Sequence, residues 1–442
     1  MLQSHYTNYS CFCINPRFRK GIILVLLSFL NLHLLFAQPS ILVKNVSLVT
    51  MTSNETLKDY DLLIENGKIK KIGKRIASSP KYLIIDGQGK FLMPGLSDMH
   101  THIPNYKDNQ MPVNHFLMLY LASGVTTIRS MRGDVDHLIL RDSVNKGLVL
   151  SPHLVLSAPP FSSRNTITDS IPSLVKRYKS NKFDFIKVLS VGSELQYNRI
   201  TDKAKASSLK VTGHLPLGNL GLAINKGQYS IEHLQGYTNL FETNQTENLR
   251  KYVKLTFDSG IYNCPTMDWY FIGSLHYNLV DLKKREGMEY VPTAVKQKWQ
   301  ESYTNYTNTV KRDEFKKDSL HLIAIEEVIK MLKHGNCKIL LSPDASGPFQ
   351  VPGFGMKEEM LLFKKFGFSN YDILRAATYT AAEYFGDAKT KGLIKEGYIA
   401  DLILLNANPL ESIENFSQRE GIFLNGRWFS QTYLINELKK IR

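Results

Sequence analysis

The stretch Pro94-Gly95-Leu96-Ser97-Asp98-Met99-His100-Thr101-His102 carries two histidines at i and i+2. In an extended chain such residues project to one side, so His100 and His102 could aim two imidazole nitrogens at one point. A lone pair of this kind means little. The same chain, however, places Lys187 after Phe185-Ile186, and His214 after Val211-Thr212-Gly213. His233 follows Ser230-Ile231-Glu232, and Asp344 follows Leu340-Leu341-Ser342-Pro343. Each preceding run is short and apolar, the pattern of a buried strand. Imidazole and carboxylate donors gathered at strand ends suit Zn²⁺ or a similar borderline cation. On the residues alone, Lys187 is either a snorkelling or salt-bridged lysine or an amine whose pKa is depressed between Ile186 and Val188. Asp344 is either a turn cap after Pro343 or a ligand. Arg129, in Gly124-Val125-Thr126-Thr127-Ile128-Arg129-Ser130, could position a substrate carboxylate or be a buried structural arginine. His153, Tyr237 and Tyr270 are further candidates to line a substrate pocket, with core packing as the competing role.

The elements that must position these groups follow from periodicity. Candidate strands are Leu92–Leu96, Val125–Arg129, His153–Ser157, Phe185–Leu189, Leu209–Thr212, Tyr229–Ile231, Ile261–Cys264 and Lys338–Leu341. Helical patterns intervene at Val113–Ala122, Ile171–Ser180, Glu194–Ser207 and Leu320–His334. Strand and helix in eightfold alternation predict an α/β fold of the (β/α)₈ TIM-barrel type, whose active sites lie at the C-terminal ends of the strands. The donors fall at those ends. The aromatic and charged stretch at about 268–318 interrupts the repeat after the seventh strand. It reads as a helical insertion over the same face, in the place of a lid. Short strands recur at both ends of the chain, with Asn66-Gly67 and Asn425-Gly426 as hairpin turns. They predict one small β-sandwich domain built from residues 38–93 and 391–442, flanking a barrel over 94–390.

With these residues in hand, the chain resembles the amidohydrolase superfamily, and within it the imidazolonepropionase-related and dipeptidase-like hydrolases. The likeness rests on the His100/His102 pair, Lys187, His214, His233, Asp344 and the run Gly392-Leu393-Ile394-Lys395-Glu396-Gly397-Tyr398-Ile399-Ala400-Asp401-Leu402-Ile403. It implies a centre of two divalent metal ions, zinc by preference. His100, His102 and Asp344 would hold the more buried ion and His214 and His233 the more open one, with Lys187 bridging as its carboxylated form. It also implies a metal-activated water, with Asp344 as the catalytic proton carrier, acting on a C–N bond of a dipeptide, N-acyl amino acid or cyclic amide. A lactonase or a deaminase of the same superfamily is the alternative, as is a binding protein without turnover. Lys187 counts against the deaminases, which generally lack the bridging lysine. The chain departs from its relatives at Ser130, where an Asp often follows the Arg, and at Ser342-Pro343, where Gly-Ser or Gly-Thr is more usual.

Composition bounds the rest. A chain of 442 residues, 43% hydrophobic and 21% charged, excludes disorder and a disulfide scaffold and allows a large core. The net charge of +15 is spread over mixed-sign helical stretches, with no basic stripe or nucleic-acid module. The expected partner is therefore a small molecule. Arg17, Arg19 and Lys20 precede an apolar run, Gly21–Ala37, as in a secretory signal spanning 1–37. That predicts a periplasmic or secreted protein with no stable membrane span after cleavage; the alternative is an uncleaved N-terminal anchor. Cys264 and Cys337, the cysteines beyond that segment, are expected as free buried thiols.

Overall fold

The computed structural model describes residues 39–105 and 111–440. The expected signal, 1–37, lies outside the described residues. Five strands open the described chain: β1 (Ser40–Val49), β2 (Thr56–Glu65), β3 (Lys68–Gly73), β4 (Tyr82–Asp86) and β5 (Phe91–Pro94). Eight short strands follow: β6 (Leu96–Thr101), β7 (Val125–Ser130), β8 (His153–Leu156), β9 (Phe185–Val188), β10 (Lys210–Gly213), β11 (Ser230–Glu232), β12 (Tyr262–Cys264) and β13 (Lys338–Ile339). The last three are β14 (Leu402–Leu405), β15 (Arg419–Leu424) and β16 (Arg427–Ser430).

Strands from the two ends share one sheet, ordered β16-β15-β14-β5-β1-β2-β3, with β4 parallel to β1. The pairing of Met93 with Ile403 in antiparallel β5 and β14 joins segments far apart in the chain. The two Asn-Gly hairpins formed as expected, between β2 and β3 and between β15 and β16. They lie against each other: Ala400 N donates to Gly67 O (2.9 Å) and Gly426 N to Ala400 O (2.9 Å).

The middle strands are parallel throughout, in a three-stranded sheet β6-β7-β8 and a five-stranded sheet β9 to β13 in sequence order. Backbone bonds connect the two sheets on both flanks. Ala158 N donates to Phe185 O (2.9 Å) and Asp184 N to Leu156 O (3.0 Å) on one side, and Met99 N to Leu341 O (3.3 Å) on the other. The helices Val113–Ala122 and Ile171–Ser180 have the bounds expected from periodicity. The helix expected at Leu320–His334 begins earlier, at Arg312.

One expectation is corrected. Leu92–Leu96 is not a single strand but the end of β5 and the start of β6, split at Gly95. Gly95 N donates to Asp401 O (2.8 Å), whereas Leu96 N donates to Gly124 O (3.1 Å), so the chain changes sheets there. The crossing is close: a Cβ at Gly95 would lie 2.2 Å from Thr126 Oγ1. The histidine pair consequently sits at the end of β6, where His100 is a strand residue and His102 lies just beyond.

The insertion after β12 contains helices Met267–Gly273, Leu279–Lys283 and Thr293–Thr309. Its root is fixed by buried polar groups. Arg285 grips Asp268 through two bonds of 2.8 Å, and the buried Glu359 accepts the amides of Met267 (2.9 Å) and Asp268 (2.8 Å). Cys264 and Cys337 are free and buried.

Candidate metal centre

Each donor is delivered by a strand end. His100 is the penultimate residue of β6 and has no solvent exposure. Lys187 lies in β9 between the buried Ile186 and Val188. His214 follows Gly213, which adopts φ +122 and passes so close to β9 that a Cβ would lie 2.2 Å from Val188 O. His233 (φ 65) follows β11, and Asp344 (φ 50) follows the loop after β13; both are non-glycine residues in the left-handed region. That conformation costs of order 1–3 kcal/mol and gathers at functional sites. Here it turns both side chains toward one cavity. His100, His102, Lys187, His214, His233 and Asp344 all line a cavity of about 280 Å³. Trp269 and Tyr270, at the start of the insertion, complete its wall.

The distances are those of converging lone pairs. His102 Nε2 lies 3.2 Å from Asp344 Oδ1, and His100 Nε2 lies 3.8 Å from Asp344 Oδ2. Lys187 Nζ is 3.3 Å from His100 Nε2. Ring centroids of His100 and His233 are 4.8 Å apart, and those of His214 and His233 are 5.1 Å apart. Donor atoms of His100, His102 and Asp344 lie within 4.8 Å of one another.

Outer partners fix the tautomers. His100 Nδ1 is 2.9 Å from Glu232 Oε2, so its proton sits there and Nε2 keeps a lone pair for the cavity. Thr266 Oγ1 donates to Pro265 O (2.8 Å) and so accepts the proton of His233 Nδ1 at 2.6 Å. Glu232 is itself tied to Arg129, whose Nη2 lies 3.0 Å from both carboxylate oxygens, and accepts from Ser230 Oγ (2.6 Å) and Thr212 Oγ1 (3.0 Å). Burial alone would raise the Glu232 carboxyl, but Arg129 and His100 hold it well below its usual range. A second group, His100, Glu232 and Cys264, also has the proximity of a metal site. Its first two members are bonded to each other, which marks it as support for the centre. Ser342 braces the remaining side, donating to Asp98 Oδ1 (2.5 Å) and His100 O (3.0 Å).

These groups fit divalent cations. Burial brings His100 and His214 down to about 4 and lowers His233 well below its usual value, so these three imidazoles are neutral near pH 7. Burial would raise Asp344, yet the neighbouring His100, His102 and His233 hold it well below the carboxylate range, so it is ionised. Asp344 Oδ1 is buried, with His102 Nε2 3.2 Å away. Lys187, its pKa lowered chiefly by burial, makes no salt bridge among the described residues. A carboxylate facing neutral imidazoles and an amine without a counterion is a donor set that calls for positive charge.

Three expected pocket residues are placed elsewhere. Arg129 is wholly buried beneath the centre, bonded to Glu232, Ser230 Oγ (3.0 Å), Tyr384 Oη (2.7 Å) and Met99 O, because a guanidinium in the interior needs acceptors on every side. His153 lies at the opposite end of β8, with Nε2 2.9 Å from Asp401 Oδ2. Tyr237 is buried in the core, its hydroxyl 2.6 Å from Thr256 Oγ1. Sequence reasoning gave no role to Glu232 or Thr266. The signal for Glu232 was an acid in a strand of otherwise buried residues, i−1 to a histidine and i+2 from Ser230.

The sequence profile of the Amidohydrolase family matches residues 91–429. Among curated proteins, a dihydroorotase of Caldicellulosiruptor saccharolyticus is 42% identical over 64 residues, 14% of this chain and 15% of that protein. A 5-methylthioadenosine/S-adenosylhomocysteine deaminase of Caldanaerobacter subterraneus is 32% identical over 87 residues, 19% of this chain and 20% of that protein. The match spans a fifth or less of each relative. Solved structures agree over far more of the chain. A Xaa-Pro dipeptidase with bound methionine in the active site superposes with TM-score 0.69 and 19% identity, covering 88% of this chain and 100% of that one. Bottromycin amidohydrolase gives TM-score 0.71 and 18% identity, covering 91% of each. At such identity these structures establish a shared fold. With a family profile spanning both the parallel strands and the C-terminal part of the sheet, the chain belongs to the amidohydrolase family.

Proposed function

We propose that this protein is an exported, metal-dependent hydrolase that cleaves a C–N bond in a small amide, such as a dipeptide, an N-acyl amino acid or a cyclic amide. The observation that carries this reading is the meeting of His100, His102, Lys187, His214, His233 and Asp344 around one cavity. Two divalent cations, zinc by availability outside the cytoplasm, would supply Lewis acidity toward water and the scissile carbonyl. His100, His102 and Asp344 would hold one and His214 and His233 the other. Lys187 would serve both as a carbamate, formed when its neutral amine adds to CO₂, makes the N–C bond and releases a proton. The buried amine without a carboxylate partner supports that assignment. Asp344, which faces the cavity beside His100 and His102, takes the proton of the attacking water and returns it to the leaving nitrogen.

The same reading takes the eight parallel strands as one closed barrel and the two chain ends as a small β domain beside it. The backbone bonds on both flanks of the sheets support closure. Metal analysis and a hydrolysis screen of dipeptides, N-acyl amino acids and lactones test the function. About two ions per chain and amide cleavage are expected, and Lys187→Ala should lose both an ion and turnover. Full occupancy and activity in that variant would refute the bridge. Absence of metal together with absence of hydrolysis would refute the function.

A further inference from the structure

A second chamber, of about 450 Å³, lies beside the metal cavity. Three elements wall it: helix Met267–Gly273 with Trp269 and Ile272, helix Thr293–Thr309 with Tyr303 and Tyr306, and the loop after β13 with Ser346 and Pro348. The walls are mainly apolar, and no Asp, Glu, Lys, Arg or His lines them among the described residues. The polar ends of three lining side chains are already engaged. Tyr303 Oη donates to Tyr277 O (3.1 Å) and Tyr306 Oη to Asp318 Oδ2 (2.8 Å), while the Gln350 amide bonds Gly347 N (3.0 Å) and Pro343 O (2.9 Å). What the two tyrosines leave for a ligand is ring surface.

Trp269 and Ser346 line this chamber and the metal cavity alike. Ser346 N donates to Asp344 O (2.6 Å), so the loop that delivers Asp344 continues into the chamber wall. On the other side the rings of His233 and Tyr270 are 6.4 Å apart, and those of Tyr270 and Trp269 are 5.1 Å apart, centroid to centroid. Trp269, 41% exposed, is thus the partition between the two spaces. Phe349 packs against Trp299 (5.9 Å) and Tyr303 (6.2 Å), which ties the loop to the insertion helix and fixes the spacing of two of the walls.

We propose that this chamber is an acyl-chain subsite, which makes the substrate class N-acyl amino acids with a straight acyl chain of medium length, hexanoyl to decanoyl. The inference rests on the hydrolase reading above and narrows it. The metal cavity, of about 280 Å³, has to hold the cations, the attacking water and the scissile amide. A longer arm of the substrate therefore has to leave it, and the space past Trp269 has walls without charge. A charged arm would be stripped of water there with no partner to replace it, whereas each methylene gains by leaving water. The side chain of a dipeptide residue branches beside the amide and ends near it. Only an arm that extends past Trp269 fills the second space, whose size is in the range of small-molecule sites.

The test compares N-acetyl-, N-hexanoyl- and N-decanoylglycine as substrates of the metal-loaded full chain. In the native protein kcat/KM should rise by roughly two- to fourfold for each methylene that enters the chamber, and so by roughly 10- to 200-fold from acetyl to hexanoyl. Gly273 also lines the chamber, and a Cβ built there meets nothing within 4 Å. Gly273→Phe should fill the space and bring the hexanoyl-to-acetyl ratio down to within about threefold of unity. Ser302→Phe, from the opposite helix, should do the same, so the test does not depend on one variant folding. Calorimetric titration of N-decanoylglycine into the metal-free chain gives a second readout, with binding weakened by about tenfold or more in both variants. Equal kcat/KM for the three compounds in the native protein would overturn the subsite and leave the hydrolase reading intact. An undiminished ratio, or undiminished binding, in both filled variants would do so too. If none of the three is cleaved, the acyl-chain class is wrong, and the dipeptide and lactone screen decides separately on the hydrolase reading.

Discussion

Glu232→Gln keeps the shape of a side chain with no solvent exposure and removes its charge. In the native site that carboxylate accepts five hydrogen bonds from four residues: two from Arg129 at 3.0 Å, and one each from His100 Nδ1 at 2.9 Å, Ser230 at 2.6 Å and Thr212 at 3.0 Å. An amide offers one acceptor oxygen and turns an NH₂ donor toward either Arg129 or His100, both donors themselves. Two costs follow. The Arg129 guanidinium is left buried without a counter-charge, worth about 3–5 kcal/mol when one partner of a buried pair is removed. His100 loses the group that fixes its tautomer, which typically weakens metal binding about 10- to 100-fold. Urea unfolding of the metal-free chain reads the first cost, and chelator competition reads the second. Adding Arg129→Met should recover part of the stability, since it removes the orphaned charge, but none of the metal affinity. Stability within about 1 kcal/mol of native, together with metal affinity within about threefold, would refute this account of the layer beneath the histidines.

Two further outcomes are expected. Thr266→Val keeps the shape but removes the acceptor for His233 Nδ1; metal affinity should fall by about 10- to 100-fold, while Thr266→Ser should hold it, both read by chelator competition. Asp401 joins β8 to the end-built sheet through His153 (2.9 Å) and the amide of Asn425 (2.7 Å). Burial would raise its carboxyl, but His153, Lys391 and that amide hold it below its usual range. Because the folded value lies under the unfolded one of about 3.9, this stabilisation is complete above that pH and drains away as pH falls through the folded value. Urea midpoints of the native chain and Asp401→Asn should accordingly differ most at pH 6 and converge toward pH 3. A gap that widens with acid would contradict the assignment.

The meeting of the six donors was legible because each follows a short apolar run, and parallel strands bring such ends to one face. The two Asn-Gly hairpins were legible because a two-residue turn is a local property. What escaped is nonlocal. The break at Gly95 depends on Thr126 lying beneath it, and Thr126 lies on another strand. Arg129 reads in sequence as a substrate contact because nothing nearby in the chain reveals Glu232, which stands four strands away in chain order. Thr266 looks like an ordinary turn residue until His233 is placed beside it. Helix Arg312–His334 begins eight residues before its apolar periodicity, since the sequence of its first turns is dominated by charge.

The antiparallel contact of β5 with β14 also constrains how the molecule is made. Leu92 and Met93 are fully buried in the finished protein, yet their partners Leu404 and Ile403 leave the ribosome some 300 residues later. At about 5–20 residues per second, that apolar strand edge waits for tens of seconds with no strand to pair with. A nascent chain in this condition is a target for holdase chaperones and for edge-to-edge association. Completion of this sheet is thus a late event that must await the synthesis of β14.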